Sequence, residues 1–279
     1  MHFFPMNRKL IAQLILIFVV TQAIGLYVGN YLIDEGIKTT IVNDNPDSIE
    51  NSLGLIVWIL LFTGILLLLL KFAPKWIFRY LIKGMELMAV FGTSFIVLAV
   101  FIPEELFALG LSLILVATRI IFRKNVLLRN VSSVFAAAGA GPLIGASLGI
   151  IPILVFIILL SVYDLIAVFK TKHMVMLAKG ISKQNLSFTF AMPTKEHQFE
   201  LGTGDIVIPL AFAVSVLGAA KQGAQMGNIF IVPSLLLFAS LIGLIATVHY
   251  ASLENGKALP ALPLQTVLMV IVYGLTMLF

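Results

Sequence analysis

The apolar residues of this chain form long unbroken blocks parted by short polar segments, with little of the alternation that marks half-buried strands. A helix that crosses a bilayer needs about 20 such residues. On that ruler the chain predicts nine spans. The first two run from Leu10 to Ile33 and from Leu53 to Leu70. The third and fourth, Met88–Ile102 and Leu106–Phe122, are parted by Pro103-Glu104-Glu105, a tight turn. The fifth, Val131–Leu148, almost touches the sixth, Ile150–Phe169. Asp205–Ala220, Ile229–Tyr250 and Ala261–Phe279 complete the set. The expected fold class is all-α, a polytopic membrane protein.

Charge supplies the orientation. Arg8 and Lys9 precede the first span, and the loop after it carries Asp34, Glu35, Asp44, Asp47 and Glu50 against Lys38. The next loop is basic, with Lys71, Lys75, Arg79 and Lys83; then come Glu104 and Glu105; then Arg119, Arg123, Lys124 and Arg129. Lys170, Lys172, Lys179, Lys183 and Lys195 follow the sixth span. Basic loops stay on the cytoplasmic side, so the N-terminus is expected inside and the C-terminus outside. The N-terminal apolar run is too long for a cleaved signal and reads as a retained span.

Composition narrows the chemistry. The chain of 279 residues is 60% hydrophobic and 11% charged, against about 25% charged in a soluble protein. Its net charge of +5 is explained by topology, so no nucleic-acid partner is expected. There is no cysteine, which excludes disulfides, thiolate metal sites and a cysteine nucleophile. No H-E-x-x-H occurs, so no metal is expected. Gly145-Ala146-Ser147-Leu148-Gly149 matches G-x-S-x-G, but the nearest histidine on a later span, His249, belongs to the opposite face of the membrane. Ser147 therefore reads as packing, as do Gly141, Gly145 and Gly149 at four-residue spacing. Glu86 reads as interfacial.

Two acids remain. Asp164 lies inside the sixth span and Asp205 opens the seventh. A carboxylate in a spanning helix costs roughly 2.5–3.5 kcal/mol near the bilayer centre. Asp164 stands six residues before Lys170, a depth of ~9 Å. Asp205 stands five residues after Glu200 on an antiparallel span, at a similar depth. If the helices touch, the acids face one another and share a proton. Such a pair hydrolyses peptides without a cofactor, one acid activating water and the other protonating the carbonyl oxygen. The same two acids would also serve a proton- or cation-coupled transporter or channel. Gly202-Thr203-Gly204 removes side chains where a substrate backbone would approach, and Pro260-Ala261-Leu262-Pro263 frees backbone groups at membrane depth. Tyr163 packs beside the acids, and Leu186–Phe190 alternates like a short strand that could pair with an extended peptide.

Ser161-Val162-Tyr163-Asp164, Leu201-Gly202-Thr203-Gly204-Asp205 and Pro260-Ala261-Leu262 resemble the YD, GxGD and PAL motifs of the presenilin family of intramembrane aspartyl proteases. They occur in the family's order, on the sixth, seventh and ninth spans. The resemblance implies Asp164 and Asp205 as the catalytic pair, with Pro260, Ala261 and Leu262 shaping the site and contacting substrate. Gly204-Asp205-Ile206-Val207-Ile208-Pro209 looks more like signal peptide peptidase, but the N-inside orientation favours the presenilin type. The loop after the sixth span is short and basic, unlike the long cleaved loop of animal presenilins. The expectation is one membrane-embedded protease domain over residues 1–279: spans one to six in 1–169, a cytoplasmic loop with the GxGD approach in 170–204, and spans seven to nine in 205–279. It would act as a compact microbial homologue in the cell membrane, on single-span membrane proteins, without cofactor or accessory subunits. The oligomeric state stays open.

Overall fold

A computed structural model describes residues 8–170, 188–193, 198–223, 228–253 and 259–278. Among these are nine α-helices: α1 (Arg8–Asp34), α2 (Ile49–Phe72), α3 (Lys75–Phe101), α4 (Glu105–Ile121), α5 (Val126–Ser147), α6 (Ile150–Leu165), α7 (Gly204–Gln222), α8 (Ile231–Leu253) and α9 (Leu262–Thr276). Seven are long and apolar enough to cross a membrane. The other two are α4, with 17 residues, and α9, with 15; α6, with 16, reaches a spanning length of 21 residues only with the turn that follows it. A five-residue π-turn, Ile166–Lys170, continues α6. An antiparallel hairpin of β1 (Thr189–Pro193) and β2 (Gln198–Gly202) leads into α7.

The centre of the bundle is α7. Every residue from Ile208 to Leu217 is buried, as expected of a helix that is apolar all round because protein surrounds it. Small residues on its neighbours make this enclosure tight. Leu210 fits between Gly25 of α1 and Gly141 of α5, and Val214 between Gly29 and Gly145. At each of these glycines a Cβ would crowd the α7 side chain, so close approach itself requires the missing side chain. By contrast, α2 buries only Asn51 and Ser52. Its exposed Trp58, Leu61, Phe62 and Leu68 form an apolar wall, too extensive for a water-facing surface.

The break between α5 and α6 falls at Leu148 and Gly149, and the loop after α1 fixes it. Gly149 donates its N–H to the Pro46 carbonyl at 2.9 Å. The Ser147 hydroxyl accepts the Thr39 N–H at 2.8 Å, and Ser215 of α7 donates to the Leu148 carbonyl at 2.7 Å. Ser147 is thus a polar tether as well as a packing residue.

Three expectations need correction. The third helix begins at Lys75, well before Met88, because the basic run through Lys83 simply continues the helix beyond its apolar part. Glu86 is more than a residue at the edge of a span: it is 2% exposed and pairs with Arg119 of α4, itself 4% exposed, at 3.2 Å. The predicted strand starts later, at Thr189, and runs on to Pro193; Leu186 and Ser187 lie outside the described residues. On the opposite side of the bundle, Lys221 at the end of α7 meets Asp34 at the end of α1, at 2.6 Å.

Candidate active site

Asp164 occupies the last turn of α6, just before the helix widens into the π-turn. Asp205 is the second residue of α7. The two helices pack together, and Asp205 lies within electrostatic range of Asp164. Both side chains are half-buried. The backbone amide of Leu262, at the start of α9, is a hydrogen-bond partner of the Asp164 carboxylate. Three helix ends therefore converge on the acids: the close of α6 and the beginnings of α7 and α9.

Local sequence explains why these ends are irregular. Pro209 sits four residues after Asp205, so the Asp205 carbonyl has no helical N–H to accept. Pro260 precedes the start of α9, and Pro263 stands in its first turn, where a missing N–H costs no helical bond. Gly202 gives room: a Cβ there would stand 3.4 Å from Asp205 Oδ2. Thr203 accepts the Ile206 and Val207 amides on its carbonyl, at 3.1 and 2.9 Å, and its own hydroxyl donates to the Phe188 carbonyl. Gly204 is exposed. Leu201 and Ala261 share a buried apolar cluster with Phe190, Met192 and Ile206. Leu262 is buried, whereas Pro260 and Tyr163 are half-buried.

The hairpin is held from one side by α5. Thr203 donates its N–H to the Phe188 carbonyl, which sets the antiparallel register. Phe190 with Leu201 and Met192 with Phe199 are then the directly bonded pairs, and the residues between them turn their peptide groups outward. On β1 these are Thr189 and Ala191, and α5 takes both. Asn130 Nδ2 donates to the Ala191 carbonyl at 2.8 Å, and Asn130 Oδ1 accepts the Ala191 N–H at 2.8 Å. Arg129 Nε donates to the Thr189 carbonyl at 3.2 Å, while its Nη2 bonds Thr189 Oγ1 and pairs with Glu200 at 3.1 Å. On β2 the outward-turned residues include Gly202, three before Asp205. From the sequence Arg129 belongs only to a basic loop and Asn130 has no role, because the Thr189 carbonyl and the Ala191 peptide that they bind are main-chain groups and leave no sequence signature.

Seven helices long and apolar enough to cross a membrane, with two neighbouring acids among them, mark an integral, multi-pass membrane protein. The family model described as signal-peptide peptidase, presenilin aspartyl protease matches residues 15–279. The chain belongs to this family and is an intramembrane aspartyl protease. Its fold is similar to that of a presenilin family intramembrane aspartate protease solved in a C222 crystal form. That likeness has a TM-score of 0.70 and 21% identity, over 96% of this chain and 99% of the other. A P2 crystal form of a presenilin family intramembrane aspartate protease gives a TM-score of 0.64 at 22% identity, covering 98% and 99%. No curated protein matches by sequence.

Proposed function

We propose that Asp164 and Asp205 are the catalytic pair and that the chain cleaves single-span membrane proteins near the cytoplasmic side of the bilayer. One carboxylate, ionised, draws a proton from water as the water attacks the scissile carbonyl. The other, protonated, donates to the carbonyl oxygen. Neither step calls for a cofactor or a metal. The Leu262 amide orients Asp164, Ala261 anchors the start of α9, and Gly202, Thr203 and Gly204 leave space for the substrate backbone. The observation that carries this reading is the convergence of both acids with the Leu262 amide at three irregular helix ends.

A substrate helix hides its peptide carbonyls, so it must unwind. The open side of β2 offers an extended segment a strand to pair with, leading directly to Asp205. The sheet has two strands among the described residues, and α5 already occupies the far edge of β1. Asn130→Ala should free that edge and loosen the hairpin. Apparent KM is expected to rise about tenfold, the worth of one or two buried hydrogen bonds, while kcat stays close to the parent value. Steady-state kinetics on a single-span substrate check this; a KM equal to the parent's would remove the hairpin from substrate binding.

The nine-span arrangement with the N-terminus inside, and action as one uncut chain forming a single domain, belong to the same reading. The orientation rests on loop charge, and the uncut chain on the shortness of the loop after the sixth span. The test is cleavage of a solubilised single-span substrate by the purified chain across pH. A bell-shaped profile belonging to the pair is expected. A flat profile across the acidic range would contradict a shared proton. Proton or cation flux in liposomes without cleavage would transfer the acids to a transport role.

A further inference from the structure

Gln22, beside Thr21 in the largely apolar middle of α1, has no part in the mechanism above. It is 4% exposed, and its Nε2 donates to the Ile206 carbonyl of α7 at 3.1 Å. Ile206 directly follows Asp205. The turn it belongs to is short of helical bonds, because Pro209 supplies no amide to the Asp205 carbonyl and its ring crowds that carbonyl. The bond from α1 therefore reaches α7 at the place where the helix's own ladder is weakest.

The two helices are built to meet there. Gln22, Gly25 and Gly29 share one face of α1, and Ile206, Leu210 and Val214 share one face of α7. Gly25 opposes Leu210 and Gly29 opposes Val214 at contact distance. Gln22 against Ile206 is the next rung, and the close approach set by the glycines lets a side-chain amide reach across. Packing alone does not account for a glutamine. Its Oε1 is buried without a partner among the described residues, which is costly. A methionine of similar length would fill the space without that cost.

We propose that Gln22 is a positioning residue for Asp205: its amide pins the Ile206 carbonyl and so fixes the first turn of α7, which aims the carboxylate at Asp164. The inference rests on Asp205 being catalytic.

Gln22→Met tests it, beside Asp205→Asn. Gln22→Met keeps the volume and loses the donor. Its kcat is expected to fall about tenfold, with KM within about twofold of the parent and thermal unfolding unchanged. Parent-like turnover would overturn the proposal, as would a loss of kcat that merely tracks a loss of thermal stability. Gln22→Glu gives a second readout that holds even if the methionine variant fails to fold. As a neutral acid it can still donate to the Ile206 carbonyl; once ionised it cannot. Its activity should approach the parent's on the acid side and drop away on the alkaline side. A profile parallel to the parent's would count against a donor role. Cleavage by Asp205→Asn would sink the dyad instead, so the two failures are distinguishable.

Discussion

Asp164→Asn and Asp205→Asn are each expected to abolish cleavage while leaving the fold intact. Asparagine keeps the size and polarity of aspartate, and neither acid has a basic ion-pair partner among the described residues whose loss would unbalance the bundle. The amide cannot take a proton from water or give one to a carbonyl oxygen. General acid–base chemistry contributes roughly 10²–10⁴-fold for one group, and here each acid needs the other. The double variant should therefore be no slower than either single one, since members of a catalytic unit are far from additive. The check is cleavage of a single-span substrate by the three purified variants, with thermal unfolding in detergent measured alongside. Residual turnover within tenfold of the parent in either single variant would remove that acid from the chemistry. Full loss in both, with parent-like unfolding, would leave the pair as the working centre.

The acids were legible because a spanning helix tolerates few of them, so each stands out against its background. The helices were legible for a related reason: without water, backbone groups must be satisfied internally, and long apolar blocks have few alternatives. What the pattern could not tell is which helix faces lipid. Both α2 and α7 read as apolar on every side, yet α2 buries only Asn51 and Ser52 fully, with one half-buried face, and α7 is wrapped on all sides. Hydropathy has the same value against lipid tails as against leucines. Glu86 was read alone, at the edge of a span, and its pairing with Arg119 between α3 and α4 cannot be seen from either residue by itself. Lys75 to Lys83 looked like a loop because charge ends a hydropathy block, although it does not end a helix. At the site, Gln22 and Asn130 were missed for one reason: both bind main chain, and a carbonyl looks alike in every residue. Gln22 did leave a faint trace, as a primary amide between Thr21 and Ala23 in a span.

Gly145→Ala, a single added methyl, should cost the protein both stability and activity, and Gly64→Ala should cost it neither. Intrinsic helix propensity alone gives the two changes the same sign, favouring alanine by about 1 kcal/mol. Their surroundings differ. At Gly64 of α2, an added Cβ has nothing within 4 Å. At Gly145 it would press on the Ala211 carbonyl oxygen and lie 3.1 Å from the Ala211 carbonyl carbon and 2.8 Å from Val214 Cβ. Two of those atoms are backbone, so no rotamer change relieves the clash, and α5 must back away from α7. Overpacking of this kind costs about 1–3 kcal/mol. The displacement would also reach the chemistry, because α7 carries Asp205 and α5 carries the residues that hold β1. Thermal unfolding of the purified variants, with cleavage measured on the same samples, decides the matter. A lowered midpoint with cleavage reduced beyond the loss of folded protein would show that α5 sets the position of α7. Equal behaviour of the two variants would mean that the contact relaxes freely, and that the bundle does not fix its central helix through Gly145.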